Sequence, residues 1–103
     1  MPSPKGKVIT GYLARLTFLK RDALARGERV KVEQRFIMYL FRDAASLTKT
    51  VQPAMDEVRG TEVACELDVY RASVTVGEKV GKDRVRPEDA PILAAVRVLN
   101  GGA

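Results

Sequence analysis

The stretch VITGYLARLTFL, residues Val8 to Leu19, decides which fold this chain adopts. Apolar residues recur in it at helical spacing, and the letters KRDALARG that follow continue the same spacing. We therefore predict a first helix over Thr10–Arg26. Its apolar face would consist of Tyr12, Leu16, Leu19 and Ala23. The alternative is a β-strand across the quoted stretch, and the helix is favoured because its pattern continues beyond Leu19.

The middle of the chain alternates between strand and helix patterns. The stretch RVKVEQRFIMYLF, Arg29–Phe41, alternates apolar and charged residues and predicts a strand whose second half is apolar on both faces. Helical spacing then predicts a second helix over Ala44–Val58, which Pro53 would kink or restart. The stretch TEVACELDVYRASVTV, residues 61–76, alternates cleanly and predicts a long strand.

The last part of the chain completes the predicted architecture. GEKVGKDRVRPED, residues 77–89, is polar and predicts an exposed loop, while PILAAVRVL, residues 91–99, predicts a short final strand. With room for a very short strand before Lys5, the order is (β)αβαββ. The prediction is one two-layer α+β domain over residues 1–103, with two helices packed on one face of a mixed sheet. The apolar open face of such a sheet often pairs with a second copy.

Cationic residues are concentrated in the first third of the chain. The net charge of +5 divides into +6 over residues 1–31 and −1 over residues 32–103. This asymmetry indicates a polyanionic partner, nucleic acid before membrane. The alternative is an ordinary solvated surface.

Missing residue types exclude several classes of function. The chain has no histidine and one cysteine, Cys65, which excludes the familiar zinc and haem sites and both Ser–His and Cys–His catalysis. We therefore predict no enzymatic activity, no metal and no cofactor. No apolar run approaches the roughly 18 residues of a membrane helix, and the first residues lack the apolar core of a signal peptide. The expected location is intracellular, in the cytoplasm or the nucleus.

Three segments together resemble the Alba superfamily, which includes archaeal chromatin and RNA-binding Alba proteins and the Alba-type subunits of ribonuclease P and MRP. KGKVITGYLARLTFL is similar to the basic glycine loop and first helix of that family, and AASLTKTVQPAMDEVR is similar to its second helix. The remaining part resembles its long third strand, basic hairpin and final strand. LFRDAA departs from the family because its turn contains no glycine. The resemblance implies binding of RNA or DNA by a homodimer or by a heterodimer with a second Alba-like chain.

Candidate nucleic-acid-binding residues follow from the charge pattern and the resemblance. A basic loop before a helix N-terminus suits a phosphate, because unpaired backbone N–H groups and the helix dipole favour an anion there. The candidates are Lys5, Gly6 and Lys7 in this loop, Arg42 and Lys49 at the second helix, and Lys79, Lys82, Arg84 and Arg86 in the hairpin. The alternatives are a solvated basic tail, a solvated hairpin tip and an exposed helix face.

The predicted function is non-catalytic nucleic-acid binding, with RNA slightly favoured over DNA by the breadth of the family. Contacts to the phosphate backbone and to shape would make the binding salt-sensitive and weakly sequence-specific. The alternative is a scaffold subunit of a ribonucleoprotein assembly that uses its fold for protein pairing and has little direct nucleic-acid contact.

Overall fold

A computed structural model describes residues 8–75, 80–85 and 87–101 of this protein. The elements are β1 (Val8–Lys20), α1 (Arg21–Ala25), β2 (Lys31–Phe41), α2 (Ala44–Glu57), β3 (Val63–Thr75), β4 (Val80–Arg84), a 3₁₀ turn (Pro87–Asp89) and α3 (Ala90–Leu99). The α+β class is confirmed. The four strands have the order β2-β1-β3-β4, and every pairing between them is antiparallel, whereas the sequence predicted a mixed sheet.

The predicted helix over Thr10–Arg26 is wrong, because most of this segment is the central strand of the sheet. β1 pairs with β3 along its whole length and with β2 on its other edge. Alternate residues Ala14, Leu16 and Phe18 are buried, as a strand requires. Helical structure here is confined to α1, five residues long. Pairing on both edges satisfies the backbone groups of β1 and overrides the helical spacing of the sequence.

Gly11 provides a direct test of this strand. A Cβ at Gly11 would lie 2.6 Å from Leu40 Cγ and 2.7 Å from the carbonyl oxygen of Phe41. We expect Gly11→Ala to lower the free energy of unfolding by about 1–3 kcal/mol in urea denaturation, because the backbone of β2 would have to shift. A helix would give the opposite sign, since alanine stabilises a helix interior by about 1 kcal/mol relative to glycine. As a control, Gly81→Ala meets only the rotatable Ser73 side chain within 3.4 Å.

The final segment is also corrected, from a strand to the helix α3. Pro91 lies in the first turn of α3, where a missing N–H has no cost. Directly after this helix, the side chain of Asn100 accepts a hydrogen bond from the Leu67 N–H at 2.8 Å and donates one to the Leu67 carbonyl at 3.0 Å. These bonds cover the edge of β3 beyond the end of β4, so α3 is held against the sheet and is not part of it.

The predicted loop over residues 77–89 is partly wrong as well. Residues 80–84 form β4, which pairs with Tyr70–Val74 of β3. The two strands make a hairpin, so the cations Lys82 and Arg84 lie on a sheet edge. Periodicity alone missed this strand because its sequence, VGKDR, is short and polar.

Three predicted elements are confirmed: β2, α2 and β3. Asp43 caps α2 by accepting a hydrogen bond from the Ser46 N–H at 2.8 Å. The helix continues through Pro53 as one element from Ala44 to Glu57. Two helices do lie on one face of the sheet, but they are α2 and α3. Their buried side chains Leu47, Val51 and Ile92 belong to one core with the strands.

Candidate nucleic-acid interface

The sheet has a second face, opposite α2 and α3. Directly opposed residues of antiparallel strands point to the same side of a sheet. Because Leu16 and Leu67 are opposed and both buried, the alternate pair Arg15 and Asp68 points away from the helices. The open face, as we call this side, carries Leu13, Arg15, Phe36, Asp68, Tyr70, Lys82 and Arg84.

Two aromatic rings on the open face each have a cation above them. The guanidinium carbon of Arg15 is 5.1 Å from the ring centroid of Tyr70, and Lys82 Nζ is 5.5 Å from that of Phe36. Lys82 belongs to β4 and Phe36 to β2, which are the two outer strands. A side-chain contact across the full width of the sheet means that the open face is concave.

An apolar groove runs between these rings. Leu13, Leu40 and Val74 line it together with Phe36 and Tyr70, and its volume is about 480 Å³. Phe36 is 52% exposed, so its ring is accessible from solvent. An apolar, aromatic recess bordered by cations suits a planar group that carries negative charge nearby.

Arg15 is the most constrained cation of the open face. Its guanidinium donates a hydrogen bond of 3.0 Å to Asp68, which raises the pKa of Arg15. Its Nε is buried and has no hydrogen-bond partner among the described residues. A buried donor left unpaired costs about 1–3 kcal/mol.

The other end of the open face is closed. Thr17 is buried there, and Arg29 forms two hydrogen bonds with Glu66, of 2.6 and 3.1 Å, close beside it. This contact lowers the pKa of the Glu66 carboxyl. The accessible part is therefore the end that contains Leu13, Phe36 and Tyr70.

The structure brings together only part of the predicted site. Lys82 and Arg84 lie on the open face, since Arg84 is paired with Tyr70. Lys49 is exposed on α2, in the helical layer and away from the open face. The remaining predicted residues lie outside the described ranges: Lys5, Gly6, Lys7, Lys79 and Arg86.

Arg42 borders a second recess, at the end of β1. The last residue that β1 pairs with in β2 is Phe41, opposite Tyr12, so Val8–Gly11 pair with β3 only. The recess beside these residues has a volume of about 460 Å³ and is also lined by Arg71. Arg42 is exposed and forms no ion pair with a described residue.

Carboxylates offset the charge of Arg71 in this recess. Its guanidinium lies 3.7 Å from Asp89 and 3.8 Å from Glu88. Asp89 also accepts a hydrogen bond of 2.5 Å from the hydroxyl of Tyr12, which raises the pKa of that hydroxyl. Among the described residues that line this recess, Arg42 is therefore the cation with no carboxylate beside it.

The aromatic part of the open face was not predicted from the sequence. Phe36, Arg15 and Tyr70 are not among the candidate residues of the sequence analysis. Alternation of the polar Arg15 and Thr17 with the apolar Ala14, Leu16 and Phe18 was the available signal, but it has meaning only if the segment is a strand.

No metal site and no membrane helix are found in the described part of the chain. No group of three or more Cys, Asp or Glu side chains within residues 8–75, 80–85 and 87–101 is placed to hold a metal ion. None of the helices in these ranges is long and apolar enough to cross a membrane. Comparison with known proteins finds no matching family, no matching curated protein and no matching solved structure.

Proposed function

We propose that this protein binds a single strand of RNA or DNA on its open face, without catalysis. The observation that carries the proposal is the pair of rings that line one groove, the exposed Phe36 and the half-buried Tyr70, on a concave sheet face beside Arg15, Lys82 and Arg84. Aromatic rings stack on unpaired bases, and cations beside them neutralise phosphates. Among the described residues, these three cations compare with two carboxylates on the open face, Asp68 and Glu66, and Glu66 is bonded to Arg29.

The proposed binding follows from the shape of the groove. Bases would stack on Phe36 and Tyr70, with their edges against Leu13 and Leu40. Lys82 now lies over the ring of Phe36, and it would move from the ring to a backbone phosphate. Stacking surfaces read no base sequence, so specificity would be weak. Paired bases cannot reach such a surface, so a single strand should bind better than a duplex.

The proposal keeps the nucleic-acid class implied by the resemblance but not its contact geometry. The Alba-type arrangement needs a helix over residues 10–26 and a strand at the C-terminus, but residues 10–20 belong to β1 and residues 90–99 form α3. The contacts proposed here depend only on the open face.

The salt dependence of binding tests the proposal. We expect fluorescence anisotropy with a labelled single-stranded RNA or DNA to give a slope of log K against log salt of about −2, for three phosphate contacts at about −0.7 each. The affinity would then fall roughly twentyfold between 50 and 200 mM salt. A duplex of the same sequence should bind more weakly.

Charge reversal locates the contacts. Lys82→Glu/Arg84→Glu should reduce the affinity at least tenfold. Lys49→Glu/Arg97→Glu, an equal change in charge at exposed positions of the helical layer, should leave it within about twofold. Equal losses for both variants would mean that net charge alone drives binding. No binding by the wild type would contradict the proposal.

Protein pairing is the second candidate function, and one observation favours it. Val32, Phe36 and Tyr39, all on β2, are each more than half exposed. Apolar residues grouped on one strand are typical of an interaction surface. A flat salt response together with a stable protein complex would favour this candidate.

A further inference from the structure

The outer edge of β2 has no partner in the described structure. β2 is the first strand of the sheet and pairs with β1 on one side only. An eleven-residue edge of this kind has a row of free backbone N–H and C=O groups, which is a template for another strand. It also carries the exposed Val32, Phe36 and Tyr39.

The charges on this edge are arranged symmetrically about Gln34. Glu33 precedes Gln34 and Arg35 follows it, and they form an exposed ion pair of 3.0 Å along the strand. Charges on an edge strand usually discourage pairing. A second copy of the same strand in antiparallel orientation is an exception. Two opposite charges on either side of one residue would then favour pairing, because each charge faces its opposite on the other copy.

We propose that two copies of this chain pair through β2, antiparallel, with the two-fold axis at Gln34. Glu33 of each copy would then be opposite Arg35 of the other, and Val32 opposite Phe36. Both charged pairs are attractive, and both apolar pairs remove exposed surface. Such an interface is isologous and closed, and therefore stops at a dimer.

Charge selects this register over its neighbours. An axis at Arg35 would oppose Arg35 to itself, and an axis at Glu33 would oppose two carboxylates, and like charges directly opposite destabilise a sheet. β2 pairs with β1 in a regular register over Glu33–Ile37. On either side the register shifts, between Phe18 and Leu19 and between Tyr12 and Ala14 of β1. Pairing is therefore expected over a short central stretch around Gln34.

The charged pairs that select the dimer lie outside the proposed binding surface, and Phe36 is the residue that the two proposals share. Glu33 and Arg35 are opposite Phe18 and Leu16, so they point to the helical side, and Arg35 lies 5.1 Å from the ring of Phe18. If the open face does bind nucleic acid, an eight-stranded sheet would place the two open faces side by side. A failure of dimerisation would leave binding by each copy to be measured separately.

Complementary charge variants test the dimer. Sedimentation should show that Glu33→Arg and Arg35→Glu each weaken self-association at least tenfold, because every charged pair becomes repulsive. Mixing the two variants should restore a dimer, since each arginine of the first then faces a glutamate of the second. The proposal would be overturned if the wild type stays monomeric at about 100 μM, or if the mixture of the two variants stays monomeric.

Cysteine cross-linking tests the register. In a Cys65→Ala background, Gln34→Cys should form a disulfide dimer under mild oxidation, because directly opposed Cα atoms are about 4.5–5.5 Å apart. Val32→Cys is the matched control on the same exposed edge, and its two copies would be about 13 Å apart, four residues along the strand. Equal cross-linking at both positions would contradict pairing centred on Gln34.

Discussion

Phe36→Ala and Tyr70→Ala are each expected to weaken single-stranded nucleic-acid binding about tenfold to a hundredfold. The reason is that stacking of a base on an aromatic ring contributes about 1–3 kcal/mol. Both rings line the same groove, so the double variant should lose most of the measurable affinity. Anisotropy titrations at fixed salt measure the effect, and the slope against salt should change little because the cations remain.

Tyr39→Ala is the matched control for these two variants. Tyr39 is 59% exposed and lies on β2 like Phe36, but its ring packs 4.9 Å from that of the core residue Phe41 and does not line the groove. Its loss should leave the affinity within about twofold. A loss equal to that of Phe36→Ala would show that exposed aromatic area in general, and not the groove, determines binding. Sedimentation of each variant would separate any change in self-association.

Phe41→Ala is expected to lower the free energy of unfolding by about 3–5 kcal/mol. Phe41 is completely buried at the point where β2 ends and the chain enters α2, and it belongs to the core shared by the strands and helices. Removing its ring leaves a cavity among the core residues of the strands and helices, which can relax into it only in part. Because domains of this size are stable by only about 5–15 kcal/mol, the variant should be close to its unfolding transition at 37 °C.

Urea denaturation followed by circular dichroism measures this loss. The control is Val98→Ala, because Val98 is apolar but 68% exposed on α3, and a change below about 0.5 kcal/mol is expected there. A loss below about 1 kcal/mol for Phe41→Ala would contradict the burial of its ring. If the variant does not fold, Phe41→Leu keeps most of the volume, and we expect it to be destabilised by about 1–2 kcal/mol.

Periodicity predicted β2, α2 and β3 because in each of them one spacing dominates over many residues. In β1 the same apolar residues fit two periods. Tyr12 and Leu16 have the spacing of a helix as well as that of a strand, and the helical spacing continues through Ala23. The segment is a strand and not a helix because β2 and β3 pair with its two edges. Pairing with strands that are distant in the sequence cannot be detected from the periodicity of about a dozen residues.

The residues of the candidate site were also only partly predictable from the sequence. Charge pattern identified Lys82 and Arg84 as candidates, because a cation is visible in the sequence wherever it lies. The role of Tyr70 depends on register, since β3 places it beside Arg15 only when β1 is a strand. The concave shape that brings Lys82 to Phe36 depends on the whole sheet.

Composition and local spacing thus determined the α+β class, the cationic character and three of the regular elements, because these follow from residue types and near neighbours. The secondary structure of two segments, VITGYLARLTFL and PILAAVRVL, depended on contacts with segments that are distant in the sequence. The first became a central strand because two other strands satisfy its backbone on both sides. The second became a helix that packs its apolar face against α2 and the sheet, with Asn100 bonded to the free edge of β3. An open face that carries Phe36 and Tyr70 exists only when the first segment is a strand and the second is a helix.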